Sequence, residues 1–254
     1  MKHGDFCWYE LYSDDLDASK AFYETLVGWR VEDSGMPGQD YWLAKAGDTA
    51  AAGMMRLPPE AKAAGARPGW SGVVAVDDAD DAAQRIVELG GRVHHGPQDI
   101  PGVGRFASAT DPQGAPFTIL RGEGGGAAPV RPGEAGHVGW RELYAKDWEP
   151  AFTFYAALFG WKKAEAMDMG PMGTYQMFSH GAEAIGGMMT APQPMPPAWI
   201  YYIAVEEFDA GMARANAAGA TVVFGPQEVP GGVFIFHGVD PTGVAFAVVG
   251  PRKG

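Results

Sequence analysis

Two short segments carry the residues best suited to chemistry. Trp8, Glu10 and Tyr12 stand at alternate positions, and Trp140, Glu142 and Tyr144 repeat the pattern at a constant offset, 142 − 10 = 132. Alternate residues of a strand share one face, so each segment sets a carboxylate between two aromatic rings. Apolar surroundings raise a carboxyl pKa by desolvation. Glu10 and Glu142 are therefore candidates for a general acid or base, or for an anchor to a cationic or hydroxylated ligand. The same spacing fits a Glu that satisfies a nearby backbone or Tyr hydroxyl group, or one at a wet rim. Arg141 puts a charge on the opposite face and blurs the assignment of inside and outside.

The likeness continues in register. Phe22-Tyr23, Leu26 and Gly28-Trp29 return as Phe154-Tyr155, Leu158 and Gly160-Trp161, giving 10 identities in 22 positions across residues 8–29 and 140–161. A second stretch repeats with a different offset: Asp111-Pro112-Gln113-Gly114 matches Asp240-Pro241-Thr242-Gly243, and 240 − 111 = 129. This is a duplicated domain whose loops changed length between copies. The expected organisation is a first domain over residues 1–121, a linker over 122–136 rich in Gly and Pro, and a second domain over 137–254.

Within each copy the element order also repeats. Cys7 to Tyr12 reads as a strand. Asp14-Asp15 starts a helix in which Ala18, Phe22 and Leu26 recur at four-residue spacing, and Gly28 stops it. Three strands follow, near 29–32, 40–46 and 51–56, before the order restarts at Ser71 with Asp77-Asp78 as the next cap. The whole is read as four βαβββ modules.

The chain has 254 residues, 46% hydrophobic and 20% charged, which is globular usage with room for two cores. A formal net charge of −12 without a Lys or Arg run makes nucleic acid and anionic membranes poor partners. One cysteine, no apolar run of membrane-spanning length and no signal peptide point to a reduced, cytoplasmic compartment. A monomer and a homodimer are both compatible.

Four βαβββ modules, helices ending Phe-Tyr-x-x-Leu-x-Gly-Trp and final strands introduced by Asp-Pro-x-Gly together resemble the vicinal oxygen chelate superfamily. That group holds glyoxalase I, bleomycin-resistance proteins and extradiol dioxygenases, and the two-domain bacterial glyoxalase-like proteins are the nearer match. The resemblance implies an α+β fold: tandem domains, each a cupped mixed sheet of about eight strands with helices outside. It also implies a divalent metal in the cup, held by a first-strand His and a last-strand Glu.

Carried over residue by residue, the first-strand His falls on Trp8, Ser71, Trp140 and Ile200, and the last-strand Glu on Thr118 and Ala247. None is a ligand for a hard cation, so neither metal nor organic cofactor is expected. An unconventional metal site using His237 or His95 has no local ligand spacing behind it. Of the remaining aromatics, Trp42, Trp199 and Tyr201 lie on or beside strands. There they either line the cup with Trp8, Tyr12, Trp140 and Tyr144 to bind a planar ligand, or pack in the core. Two functions follow. One is a protein that binds a small organic molecule in a β-cup without the ancestral metal, as the bleomycin-resistance branch does. The other is an active lyase or isomerase related to lactoylglutathione lyase, or a dioxygenase-like enzyme, in which Glu10 and Glu142 move protons and any metal sits in a non-standard site of unfamiliar ligands.

Overall fold

The computed structural model describes residues 1–36, 38, 40–123 and 133–253. Most of the expected linker, residues 124–132, lies outside them. The chain is α+β and runs as four βαβββ modules.

The first module holds β1 (Phe6–Ser13), α1 (Leu16–Val27), β2 (Arg30–Asp33), β3 (Tyr41–Ala46) and β4 (Thr49–Arg56). After a five-residue helix, α2 (Pro59–Ala63), the second holds β5 (Gly69–Ala75), α3 (Ala79–Glu88), β6 (Arg92–Ile100), β7 (Gly104–Thr110) and β8 (Pro116–Gly122). The third holds β9 (Val138–Ala145), α4 (Trp148–Phe159), β10 (Lys162–Asp168), β11 (Thr174–His180) and β12 (Glu183–Thr190). The fourth holds β13 (Ala198–Ala204), α5 (Phe208–Ala217), β14 (Thr221–Val229), β15 (Val233–Val239) and β16 (Ala245–Pro251).

The strands form two mixed sheets of eight, in the orders β2-β3-β4-β1-β5-β8-β7-β6 and β10-β11-β12-β9-β13-β16-β15-β14. By packing, the chain divides into two compact units. One takes Met1–Cys7, the described part of Ser71–Pro129, and Arg141–Ile200; the other takes Trp8–Trp70, the described part of Val130–Trp140, and the described part of Tyr201–Gly254.

Helix signals fall where the sequence puts them. The Asp15 side chain accepts from the Ala18 amide and caps α1, whereas Asp14 binds Lys62 instead. Gly28 ends the helix at φ 73°, and Gly160 ends α4 at φ 72°, a left-handed turn that favours residues without a Cβ. α1 buries Leu16, Phe22, Tyr23 and Leu26, each large side chain contributing about 1.5–3 kcal/mol of hydrophobic stabilisation.

A polar peg fixes the first helix of each half in its unit. The Trp199 indole donates to the Tyr155 hydroxyl at 3.0 Å, and Tyr155 donates to Asp111 at 3.2 Å. In the other unit Trp70 donates to Tyr23 at 2.9 Å, and burial together with the neighbouring Asp240 carboxylate pushes the Tyr23 pKa far up. These Asp residues belong to the repeated Asp-Pro-x-Gly turns.

Candidate functional site

β1 alternates as its sequence requires. Cys7, Tyr9 and Leu11 are buried on one face, while Trp8, Glu10 and Tyr12 are half-buried on the other. On that second face Glu10 is the centre of a closed network. The Tyr12 hydroxyl donates to one carboxyl oxygen at 2.7 Å, and the Tyr41 hydroxyl donates to the other at 3.2 Å. The Trp8 indole N–H in turn donates to the Tyr41 oxygen at 2.7 Å.

Tyr41 arrives from β3, over the strand that lies between. In β4 the residue opposite Glu10 is Gly53, and any Cβ there would collide with the Tyr41 phenol. A glycine floor thus lets a side chain from the next strand but one reach the carboxylate. Burial raises the Glu10 pKa against the lowering effect of the Tyr12 and Tyr41 hydrogen bonds. Burial, and then the Glu10 charge, push Tyr12 and Tyr41 well above the usual phenol value, so both stay protonated.

The third module builds the same arrangement. Tyr175 donates to Glu142 at 3.1 Å, and the Tyr144 hydroxyl also bonds that carboxylate; burial and then the Glu142 charge raise the Tyr144 pKa. Gly187 faces Glu142 from β12, and a Cβ on it would strike the Tyr175 ring. Trp140 is half-buried on β9, and Arg141 is buried on the opposite face, its guanidinium 5.4 Å from the centre of the Phe6 ring.

Sequence reasoning missed Tyr41, Tyr175 and the two glycines. A signal was present: 175 − 41 and 187 − 53 both equal 134, a third constant offset.

The positions to which the resemblance assigns metal ligands hold other chemistry. Trp8 is committed as a donor to Tyr41. Ser71 and Thr118, both buried, sit with their hydroxyls 3.4 Å apart and share one hydrogen bond. Ala247 is fully buried, and Ile200 is half-buried on β13. An indole N–H, two neutral hydroxyls and two alkyl groups do not fit a divalent cation, which takes carboxylate, imidazole or thiolate donors. Among the described residues no group of three His, Cys, Asp or Glu side chains is placed to hold one. His95 is exposed and bonds Gln98 at 2.8 Å, while His237 lies 2.7 Å from the Tyr202 hydroxyl.

Of the aromatics weighed between lining the cup and packing in the core, Trp199 and Tyr201 are buried and Trp42 is half-buried. Trp199 is 5% exposed in a cluster with Phe6, Tyr155, Trp161 and Phe178, and its indole N–H donates to Tyr155. Tyr201 is buried and packs edge-on against Tyr9. Trp42 alternates with Tyr41 and turns away from Glu10; its N–H donates to Asp40 at 2.7 Å and Lys20 lies 3.1 Å over its ring.

Comparison with known proteins agrees with this architecture. The profile of the Glyoxalase/Bleomycin resistance protein/Dioxygenase superfamily matches residues 6–119 and again 135–248. The chain belongs to that superfamily. It is 34% identical over 249 residues to "Putative glyoxylase CFP32" of Mycobacterium tuberculosis, covering 96% of this chain and 94% of that protein. It is 32% identical over 261 residues to "Anthracycline biosynthesis protein DnrV" of Streptomyces peucetius, covering 97% and 93%. Among solved structures, the Mn(II)-bound glyoxalase of Novosphingobium aromaticivorans superposes with a TM-score of 0.68 at 16% identity, covering 99% of this chain and 83% of that one. The 2,2',3-trihydroxybiphenyl 1,2-dioxygenase of Sphingomonas wittichii strain RW1 gives 0.68 at 12% identity, covering 99% and 92%. At these identities the structural likeness speaks for the fold alone.

Proposed function

We propose that this glyoxalase-superfamily protein binds a small oxygenated aromatic molecule without the family's divalent metal. Trp8, Glu10, Tyr12 and Tyr41 form the recognition face in one unit, and Glu142, Tyr144 and Tyr175 form it in the other. The observation that carries the reading is a carboxylate clasped by two phenols, built twice over a glycine floor.

The hydrogen-bond inventory selects the ligand. In the first network the indole N–H and both phenol O–H groups point inward, toward Tyr41 and Glu10. What the network presents outward is lone pairs, on the carboxylate and on the Tyr12 oxygen. A matching ligand brings donors, as a hydroxylated or amino-substituted ring does, and lays its flat face against Trp8. An oxygenated polycyclic compound also accords with the anthracycline biosynthesis named for one relative.

A second reading is favoured by the raised Glu10 pKa. A carboxyl group that holds its proton closer to neutrality is a better acid–base catalyst, so a lyase or isomerase that moves a proton on an oxygenated metabolite fits the same residues. In that case Glu10 takes a proton from substrate carbon or oxygen and returns it to a neighbouring atom, with Tyr12 and Tyr41 holding the carboxylate in place.

The rest of the reading is a cytoplasmic protein, monomer or homodimer, that does not bind nucleic acid. No helix among the described residues is long and apolar enough to cross a membrane. Calorimetric titration with a polyhydroxylated anthraquinone and with its permethylated ether tests the proposal. The hydroxylated compound should bind and the ether should not, and Glu10→Gln should weaken the former. Equal binding of the two compounds would refute it.

A further inference from the structure

We propose that a cleft between α3 and α4, on the helical side of the fold, binds a small organic ammonium ion with an apolar body. It stands apart from the Glu10 and Glu142 networks, since no strand residue lines it.

The cleft has a volume of about 600 Å³, within the range of small-molecule sites, and its walls belong to one compact unit. Leu89 at the end of α3 and Pro112 of the Asp-Pro-x-Gly turn give apolar surface from one side, Pro150 and Phe154 of α4 from the other. Gln113 ties the turn to the start of α4. Its side-chain carbonyl accepts from the Asp147 amide at 2.9 Å, and its NH2 group donates to the Asp147 carbonyl at 2.7 Å.

A helix start ordinarily attracts anions, through amides that have no partner within the helix. Here those amides are taken. Trp148 N–H donates to the Thr190 hydroxyl at 3.4 Å, Glu149 N–H to the Asp147 carboxylate at 3.2 Å, and Ala151 N–H to the Asp147 carbonyl at 3.4 Å. Pro150 has no N–H to offer. The Thr153 hydroxyl donates to the Glu149 carbonyl at 3.0 Å. What the walls still present is carboxylate lone pairs, on Asp147 and Glu149. No Lys, Arg or His lines the cleft, and among the described residues neither carboxylate has an ion-pair partner; Lys163 lies 4.6 Å over the Trp148 ring instead.

The other copy of this frame neutralises itself. Asp17 is the counterpart of Glu149, since 149 − 17 = 132, and it has Lys20 at 3.3 Å and Arg56 at 3.9 Å. Around Glu149 the same positions hold Phe152 and Thr190: 152 − 20 = 132, and the Ser13–Arg56 pair of β1 and β4 corresponds to the Ala145–Thr190 pair of β9 and β12. Thr242, in the place of Gln113, turns its hydroxyl to Asp240 and Ser19. One copy thus supplies its own ammonium and guanidinium groups, and the other leaves its carboxylates to a cation from outside. A chain of net charge −12 favours the approach of such a ligand. Its N–H groups donate to Glu149 and Asp147 while its apolar body lies on the prolines, Leu89 and Phe154.

Nitrogen–proton spectra of the amides test the site with three probes: 2-phenylethylammonium, 2-phenylethanol and 3-phenylpropionate. The ammonium should shift the signals of Glu149, Thr153 and the Gln113 side chain saturably, and should bind more tightly than the alcohol and the anion by about tenfold or more. Glu149→Gln, at an exposed position, should weaken the ammonium and leave the melting temperature nearly unchanged. Thr190→Arg, which installs the counterpart of Arg56, should compete with the probe. Glu10→Gln should leave the response intact, which keeps this test separate from that of the Glu10 network. Signals that stay unmoved or never saturate with the ammonium, or equal affinity for ammonium and alcohol, would overturn the proposal.

Discussion

The Tyr41 hydroxyl occupies the space that a Cβ at Gly53 would need. The carboxylate network therefore depends on a residue that makes no hydrogen bond to it. Gly53→Ala should displace Tyr41 and cost about 1–3 kcal/mol in urea unfolding, the usual range for overpacking. Tyr41→Ala removes the obstacle, so in that background the same Gly53→Ala change should be nearly neutral. A cost that persists in the double variant would mean that the glycine is there for the strand backbone.

Tyr41→Phe takes one donor from the Glu10 carboxylate. The Glu10 pKa should rise further, because a hydrogen bond that lowers it is gone while burial remains. Carbon-13 titration of the carboxyl reads the shift directly. Loss of a hydrogen bond to a charged group should also cost about 1.5–3 kcal/mol at neutral pH. An unchanged Glu10 titration would remove Tyr41 from the network.

The raised Glu10 pKa has a definite sign in stability. Between the unfolded carboxylate value and the higher folded value the native state binds more protons, so stability falls as pH rises through that window. Glu10→Gln lacks this dependence. Melting curves from about pH 4 to about pH 8 should show the wild type losing ground to the Gln variant as pH increases. The opposite trend would mean that the charged form is the one the fold favours.

Metal analysis of protein purified without chelator should find well under one Zn, Ni, Mn or Fe per chain. Chelator should leave the melting temperature unchanged, since a ligand bound only to the native state would have raised it. One tightly held ion per chain would contradict the assignment of Trp8, Ser71, Thr118 and Ala247 as non-ligands.

Trp199→Phe should destabilise by about 2–4 kcal/mol, because it truncates a buried ring and strips Tyr155 of its donor. Trp42→Phe should cost about 1 kcal/mol or less, the usual worth of a cation–π contact on a half-exposed ring. Chemical denaturation of both variants gives the comparison. A small loss at Trp199 would return it to the list of residues available to a ligand.

Local signals in this chain were readable, and signals that cross strands were not. The alternation of Trp8, Glu10 and Tyr12, the Asp15 cap and the Gly28 stop depend on neighbours within one element, and all stand where the sequence puts them. Tyr41 and Tyr175 could not be found that way, because their role depends on register with β1 and β9 through an intervening strand. Around them the halves share little: Tyr41-Trp42-Leu43 faces Tyr175-Gln176-Met177. Tyr201 and Tyr202 are adjacent large rings on opposite faces of β13, and both are buried, so their types alone do not tell the two faces apart. β6 and β14 run through Gly96-Pro97 and Gly225-Pro226, pairs that read in the sequence as turns.

The paired hydroxyls of Ser71 and Thr118 also bear on how such a protein could change. One hydroxyl donates and the other accepts, so an apolar side chain arriving at either position leaves its buried partner without that bond. A chelating pair there would take replacements at both positions, because one imidazole or carboxylate supplies a single ligand.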